Sequence, residues 1–282
     1  MTHAPPDAGD RAGPLRRALW WAADYAYALR RQLAVLSLPW AIGTRRPTPD
    51  AWRRGDAARP EVYLLPGVYE HWTFLRPLGD ALAAAGYRVR VVHGLGVNRR
   101  SIPETAERLT RVLAESPPPA AGRVLVAHSK GGLIGKHVLV RSGAAMDAAA
   151  EAAAGGDPAD AAATATPPAG GPALGLLGLV AVATPFGGAR RARLLFADPS
   201  IRAFLPDDET IVMLGRETSI NGRIVSVFGP YDPHIPEGSA LDGATNIAVT
   251  GRGHFRVLAS PATHRAVLDG IALLARPGGV AP

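Results

Sequence analysis

The chain has no cysteine among its 282 residues, which excludes disulfide cross-links, thiolate zinc sites and a cysteine nucleophile. Lysine is scarce too: it occurs only at Lys130 and Lys136, so nearly all the positive charge behind the net +7 is arginine. Such a balance would suit nucleic acid or an anionic membrane surface. The arginines, however, are scattered among abundant alanine, glycine and proline, and no nucleic-acid-binding motif is present. The charge therefore reads as a bias of the whole composition, and no nucleic-acid partner is expected. Also missing is any run of about 18 uncharged apolar residues, the length a membrane-spanning helix requires. The nearest stretch, 18–29, contains Asp24 and is bracketed by Arg16, Arg17, Arg30 and Arg31. Its Trp20, Trp21, Tyr25 and Tyr27 set it apart from a secretory leader, and a cytoplasmic or peripherally membrane-associated protein is expected. No cluster of histidines and carboxylates has metal-ligand spacing. Neither a metal nor another cofactor is expected.

What is present is enough apolar material, 47% of the chain, to fill the core of one α/β domain. Residues 1–60 read as an N-terminal extension and 61–282 as the main domain. The extension starts with a polar, proline-containing stretch, 1–13, expected to be disordered. A helix follows from Pro14, and residues 14–38 are amphipathic: Leu15, Leu19, Ala22, Ala26, Leu29, Leu33 and Leu36 share one face, and Arg16, Trp20, Asp24, Tyr27 and Arg31 fall on another. This helix is expected to pack on its own domain, with peripheral membrane contact through 14–38 as the alternative. A connector rich in proline and arginine, 45–60, leads to the domain.

From Glu61 apolar runs at 62–65, 87–92, 123–127, 176–183, 224–228 and 247–249 read as strands. Helix-like segments at 72–84, 103–114 and 131–141 separate the first four, and a helix at 261–274 closes the chain. Strand and helix in alternation imply right-handed crossovers and a mostly parallel, doubly wound sheet with helices on both faces. Two stretches interrupt the pattern. Residues 144–172 are almost wholly Ala, Gly, Pro, Thr and Asp and are expected to be a mobile surface insertion. Residues 186–222 carry Leu194, Leu195, Phe196, Ile201, Phe204 and Leu205, enough to fold over something, and are expected to form a small cap or lid.

The chemistry concentrates at the hexapeptide AHSKGG, 127–132, where an apolar run gives way to a helical one. A serine hydroxyl is a poor nucleophile at neutral pH. It becomes useful when a sharp strand-to-helix turn exposes it beside a histidine and backbone N–H donors. Ser129 is the candidate. The turn demands small residues two positions before and after it, here Ala127 and Gly131; Ala127 adds one methyl to the usual G-x-S-x-G pattern. Ligands of a doubly wound sheet sit at the carboxyl ends of its strands, so partners of Ser129 must follow strands. Asp232 lies beyond the fifth in IVSVFGPYDPHIPEG, and His254 beyond the sixth in NIAVTGRGHFRVL. Asp242, before the last strand, is the rival acid. Of the eight histidines, His93 and His234 also fall near strand ends.

The pieces LLPGVYE, AHSKGG, VATPFGG and the pair FGPYDPHIP and GRGHF, in this order from Glu61 onward, resemble the α/β-hydrolase superfamily and, within it, the bacterial serine lipases and esterases. The resemblance implies the α/β-hydrolase fold with Ser129 as nucleophile, His254 as general base and then acid, and Asp232 orienting the imidazole. It implies an oxyanion hole from two backbone N–H groups, that of Lys130 and that of Val68, with Tyr69 as the alternative. The Lys130 side chain is expected to point outward. Tyr69, His128 and Phe186 are candidates for lining the substrate site, although the His128 ring is expected to turn into the packing of the elbow. The expected activity is hydrolysis of acyl or lipid esters through an acyl-enzyme, on small-molecule or lipid substrates. The alternatives are thioester hydrolysis or acyl transfer by the same groups, or a membrane-surface or partner-binding role on a hydrolase scaffold.

Overall fold

Continuous apolar runs become six strands: β1 (Glu61–Leu65), β2 (Val89–Val91), β3 (Arg123–His128), β4 (Leu176–Val182), β5 (Ile224–Phe228) and β6 (Thr245–Ala248). The computed structural model describes residues 13–33, 48–95, 97–155, 174–195 and 198–276. All pairings are parallel, in the order β2-β1-β3-β4-β5-β6. Every residue of β1 and β3 is buried, as expected of strands covered on both faces.

Parallel neighbours require crossovers. These are α3 (Arg76–Ala84) between β1 and β2, α4 (Ile102–Ala114) between β2 and β3, and α5 (Lys130–Gly155) between β3 and β4. The short helices α6 (Pro199–Arg202) and α7 (Glu209–Arg216) lie between β4 and β5, and α8 (Pro261–Leu274) follows β6. The period-2 alternation of strand side chains divides the core in two. Tyr63, Leu65, Leu125 and Leu179 face Leu109 and Leu113 of α4 and Leu133, Ile134 and Val138 of α5. Val62, Leu64, Val124, Val126, Val180 and Val182 face Leu78 and Leu82 of α3 and Val267 and Ile271 of α8. The chain leaves β1 toward β2, returns to β3 on the other side of β1, and then proceeds outward to β6. The carboxyl ends of β1 and β3 therefore form the switch point where such sheets open a crevice.

Three expectations change. The helix expected at 131–141 runs on to Gly155, so residues 144–155 belong to α5 rather than to a surface insertion. The sequence there, AAMDAAAEAAAG, is rich in alanine, the residue with the highest helix propensity; the remainder, 156–172, lies outside the described residues, as do 1–12, Leu36 and Phe196. The connector 45–60 contains a further short helix, α2 (Asp50–Arg53), whose Trp52 is fully buried beneath α3. Third, α1 (Pro14–Leu33) is inverted relative to its pattern. Leu15, Leu19, Leu29 and Leu33 are 75%, 62%, 61% and 52% exposed, whereas Asp24 is 0% exposed. The helix packs through its polar and aromatic side: Trp20 meets Tyr231 at 5.3 Å and Tyr27 meets Phe74 at 6.1 Å, and Arg31 donates to the Thr73 carbonyl at 2.6 Å. None of the described helices is long and apolar enough to cross a membrane.

Candidate active site

Where β3 turns into α5, Ser129 takes a left-handed backbone, φ 51°, a conformation that costs a residue with a side chain about 1–3 kcal/mol. The surroundings hold it there. Its N–H donates to the Val182 carbonyl at 2.9 Å, and its carbonyl accepts from the Gly132 N–H and the Thr184 hydroxyl, each at 3.0 Å. A Cβ at Gly131 would overlap the Leu65 carbonyl, so α5 approaches β1 as closely as only glycine permits. Ala127 is 1% exposed, with its methyl in the core that also holds Leu133 and Ala181; the extra carbon is absorbed by packing.

The turn delivers the Ser129 hydroxyl to 3.0 Å from His254 Nε2, and His254 Nδ1 lies 2.7 Å from Asp232 Oδ2. The other oxygen of Asp232 accepts from the His234 and Ile235 N–H groups at 2.8 and 3.1 Å. Burial alone would push the His254 imidazole down, but Asp232, Glu70 and Asp24 outweigh it and hold it above its ordinary value. Asp232 is pulled the opposite way: burial raises it, and His254 with the backbone donors brings it below the usual carboxylate range. Charge separation within the pair is thereby favoured. His234, with its ring 4.9 Å from that of His254, is pushed down to about 4 by burial and by the neighbouring imidazole. Asp242 is exposed at the entry of β6, at the far end of the sheet from the hydroxyl, where its carbonyl accepts from Asn221. His93 follows the edge strand β2.

The loop after β1 is held by a buried carboxylate that sequence reasoning missed. Glu70, 1% exposed, accepts from the Gly67 N–H at 2.7 Å and lies 2.8 Å from His128 Nδ1. His128 Nε2 in turn lies 2.9 Å from the His254 carbonyl. His128 is 0% exposed, with Glu70 on one side of its ring and the His254 carbonyl on the other, so its assignment to substrate lining is corrected: it lies between the loop after β1 and the loop carrying His254. Within 67–70 the Gly67 N–H goes to Glu70 and the Glu70 N–H to the Gly67 carbonyl at 3.3 Å. Val68 and Tyr69 remain as the donors this loop can offer to a ligand, and Tyr69 has φ 62°.

Lys130 also departs from expectation. Its side chain is 0% exposed, with the ammonium donating to the Asn98 carbonyl at 3.0 Å and to that of Arg100. Asn98 donates to the Pro66 carbonyl at 2.7 Å. Among the described residues the cation has no carboxylate at hydrogen-bonding distance, and burial pushes it down to about 8, opposed by Glu104 and Asp198. It points outward to neither solvent nor ligand; it fastens loop 97–100 against the elbow. Phe186, 5% exposed, is packed in the cluster that contains Phe204, Ile211 and Leu214, with Val68 against it. Tyr69 is half-buried, stacks with the Arg99 guanidinium at 5.4 Å, and its hydroxyl bonds Asp198. Val68 of the loop after β1 and Phe186, Phe204, Ile211 and Leu214 of the segment 186–222 thus share one apolar cluster. Among the described residues no group of three or more His, Asp or Glu is placed to hold a metal ion.

Solved structures similar to this chain include the mature-form lipase BlEst2 of Bacillus licheniformis, 12% identical over 77% of this chain and 94% of that one, with TM-score 0.55. Aspergillus fumigatus lipase B is 14% identical over 84% of this chain and 56% of that one, with TM-score 0.53. A structure from the metagenome-derived lipolytic enzymes LipS and LipT is 12% identical over 78% and 95%, with TM-score 0.50. No family model and no curated protein matches the sequence. At such identities the likeness is one of fold.

Proposed function

We propose that this chain, whose fold is that of the α/β-hydrolases, is a serine hydrolase that cleaves carboxylic esters through an acyl-enzyme. The observation that carries the reading is the line from Ser129 Oγ to His254 Nε2, 3.0 Å, and from His254 Nδ1 to Asp232 Oδ2, 2.7 Å, on a serine held at φ 51°. In this reading His254 takes the Ser129 proton as the hydroxyl attacks the ester carbonyl. The imidazolium formed is stabilised by Asp232. The oxyanion is received by the Lys130 N–H at the start of α5, where the helix dipole adds to the donor, and by the Val68 or Tyr69 N–H. His254 then protonates the departing alcohol, and a water activated by the same imidazole releases the acid. Val68, only partly buried in the loop after β1, suits an apolar acyl chain, and the same Ser129, His254 and Asp232 would serve a thioester or a non-water acceptor. The test is turnover of nitrophenyl esters of increasing chain length. Ser129→Ala is expected to lose about 10⁶-fold in kcat, and retained turnover would refute the reading.

The outward stripe of α1 favours a lipid surface as the place where the substrate is met. Leu15, Leu19, Trp21, Leu29 and Leu33 are exposed together on a helix that carries exposed Arg16 and Arg30, a pattern suited to an anionic interface. The 282-residue chain is expected to co-sediment with anionic phospholipid vesicles more than with neutral ones. The substitutions Leu19→Asp and Leu29→Asp should abolish this, and equal sedimentation of the double variant would reject the lipid contact.

A further inference from the structure

We propose that Asp24, on the helix preceding the hydrolase domain, is a positioning residue for His254, which makes α1 a working part of the active site. The inference rests on the reading of His254 as general base. Asp24 is the sole carboxylate in α1 and it is completely buried. Its oxygens accept from three successive backbone N–H groups some 230 residues along the chain: Oδ2 from His254 at 2.9 Å, and Oδ1 from Phe255 at 2.9 Å and Arg256 at 2.8 Å. Burial pushes the Asp24 carboxyl up and these backbone donors pull it back. A buried carboxylate is tolerated only with such compensation, and consecutive amides turned toward one anion provide it.

The loop is shaped to receive this group. Gly253 adopts φ 96°, and a Cβ there would overlap the Asp24 carboxylate. His254 is then fixed at both ends of its backbone, its N–H on Asp24 and its carbonyl beside His128 Nε2 at 2.9 Å. With the backbone pinned, the imidazole can present Nδ1 to Asp232 and Nε2 to Ser129 at once. The same helix reaches the other loops of the crevice. Gln32 donates to the Tyr69 carbonyl at 2.6 Å, in the loop expected to supply an oxyanion donor, and Trp20 packs on Tyr231, the neighbour of Asp232. Asp24 touches neither Nε2 nor the crevice, so its effect on chemistry passes through the His254 backbone and through its charge.

Misplacing a reacting group by about 1 Å can slow catalysis roughly 100-fold. Asp24→Asn keeps the shape but sets an NH₂ against at least one of the three N–H donors. It is expected to lower kcat on a short, soluble nitrophenyl ester about 10- to 100-fold, with KM within about threefold. The charged and titratable groups facing His254 are Asp232, Asp24, Glu70, His128 and His234. Removing one of its negative neighbours lowers the imidazole's affinity for a proton, so the acid limb of kcat/KM should move to lower pH. Loosened packing alone would scale the profile without moving it. The experiment is the pH profile of kcat/KM for the wild type, Asp24→Asn and Asp24→Glu, with thermal midpoints and with Ser129→Ala as the control. A folded Asp24→Asn within twofold of wild-type kcat, or one with lowered kcat and an unmoved limb, overturns the proposal. Should Asp24→Asn not fold, Asp24→Glu, which keeps charge and acceptors, is expected to hold the wild-type limb; a displaced limb there overturns the proposal as well. Inactive Ser129→Ala beside normal Asp24→Asn removes Asp24 alone, whereas active Ser129→Ala removes the hydrolase reading beneath it.

Discussion

Helices α1 and α4 are both amphipathic, yet they are buried by opposite faces. In α4 a Ser101–Glu104 capping box starts the helix, Ile102, Ala106, Leu109 and Leu113 enter the core, and Glu104, Glu107 and Arg111 stay outside. In α1 an equally regular row of leucines is exposed, and an aspartate is the one fully covered residue. The difference lies in what each helix meets. α4 lies on the apolar side chains of a sheet, where leucine gains most from leaving water. α1 lies across the loops at the strand ends, where backbone N–H groups of 254–256 need acceptors more than they need methyl groups. Periodicity says which residues share a face; the chemistry of the partner surface decides which face is covered.

If this contrast is right, the faces of the two helices should fail in different assays. The largest effect is expected for Leu109→Ala in α4, about 2–5 kcal/mol from lost burial and a residual cavity, read as a thermal midpoint lower by roughly 5–15 °C. Next comes catalysis at the site that the inner face of α1 borders. In the proposed mechanism His254 must be neutral to accept the Ser129 proton, and since it is held above the ordinary histidine value, kcat/KM should fall on the acid side of a limb above about 6.5. A limb below that value would show that burial outweighs the carboxylates. A smaller change is expected for Gln32→Ala, which releases the Tyr69 carbonyl: a three- to tenfold loss of kcat/KM with the thermal midpoint nearly unmoved. Smallest of all is Leu19→Ala on the outer face of α1, within about 0.5 kcal/mol of the wild type by denaturant titration. A loss comparable to that of Leu109→Ala would mean the stripe is covered in the working protein.

The sheet was legible because strands buried on both faces are written as continuous apolar runs. The stretch 224–228 matches β5 residue for residue, and 123–127 misses only His128 of β3. The outer strands were less certain: β2 is shorter than 87–92, and β6 begins two residues before 247, where the polar Thr245 and Asn246 hide it. Ser129, Asp232 and His254 could be singled out as candidates because ligands of such sheets sit beyond the strand ends, and the structure brings the three within hydrogen-bonding distance. Glu70, Thr184 and Asp24 could not. Thr184 and Asp24 act on the backbone of residues far away in the sequence, and Glu70 braces its own loop at Gly67 while facing the distant His128 ring; no spacing announces such contacts. The one clue was compositional: a single acid in α1 among arginines and aromatic residues has either to be exposed or to find donors.

The buried amine of Lys130 carries a consequence for the alkaline side of the working range. Near pH 8 the nitrogen has surrendered about half its charge, and the neutral amine keeps two N–H groups, enough for the Asn98 and Arg100 carbonyls. Because burial disfavours the ammonium, the folded chain releases this proton more readily than the unfolded one, so deprotonation favours the fold. The tether of loop 97–100 thus outlasts the charge, and alkaline solution should leave it in place.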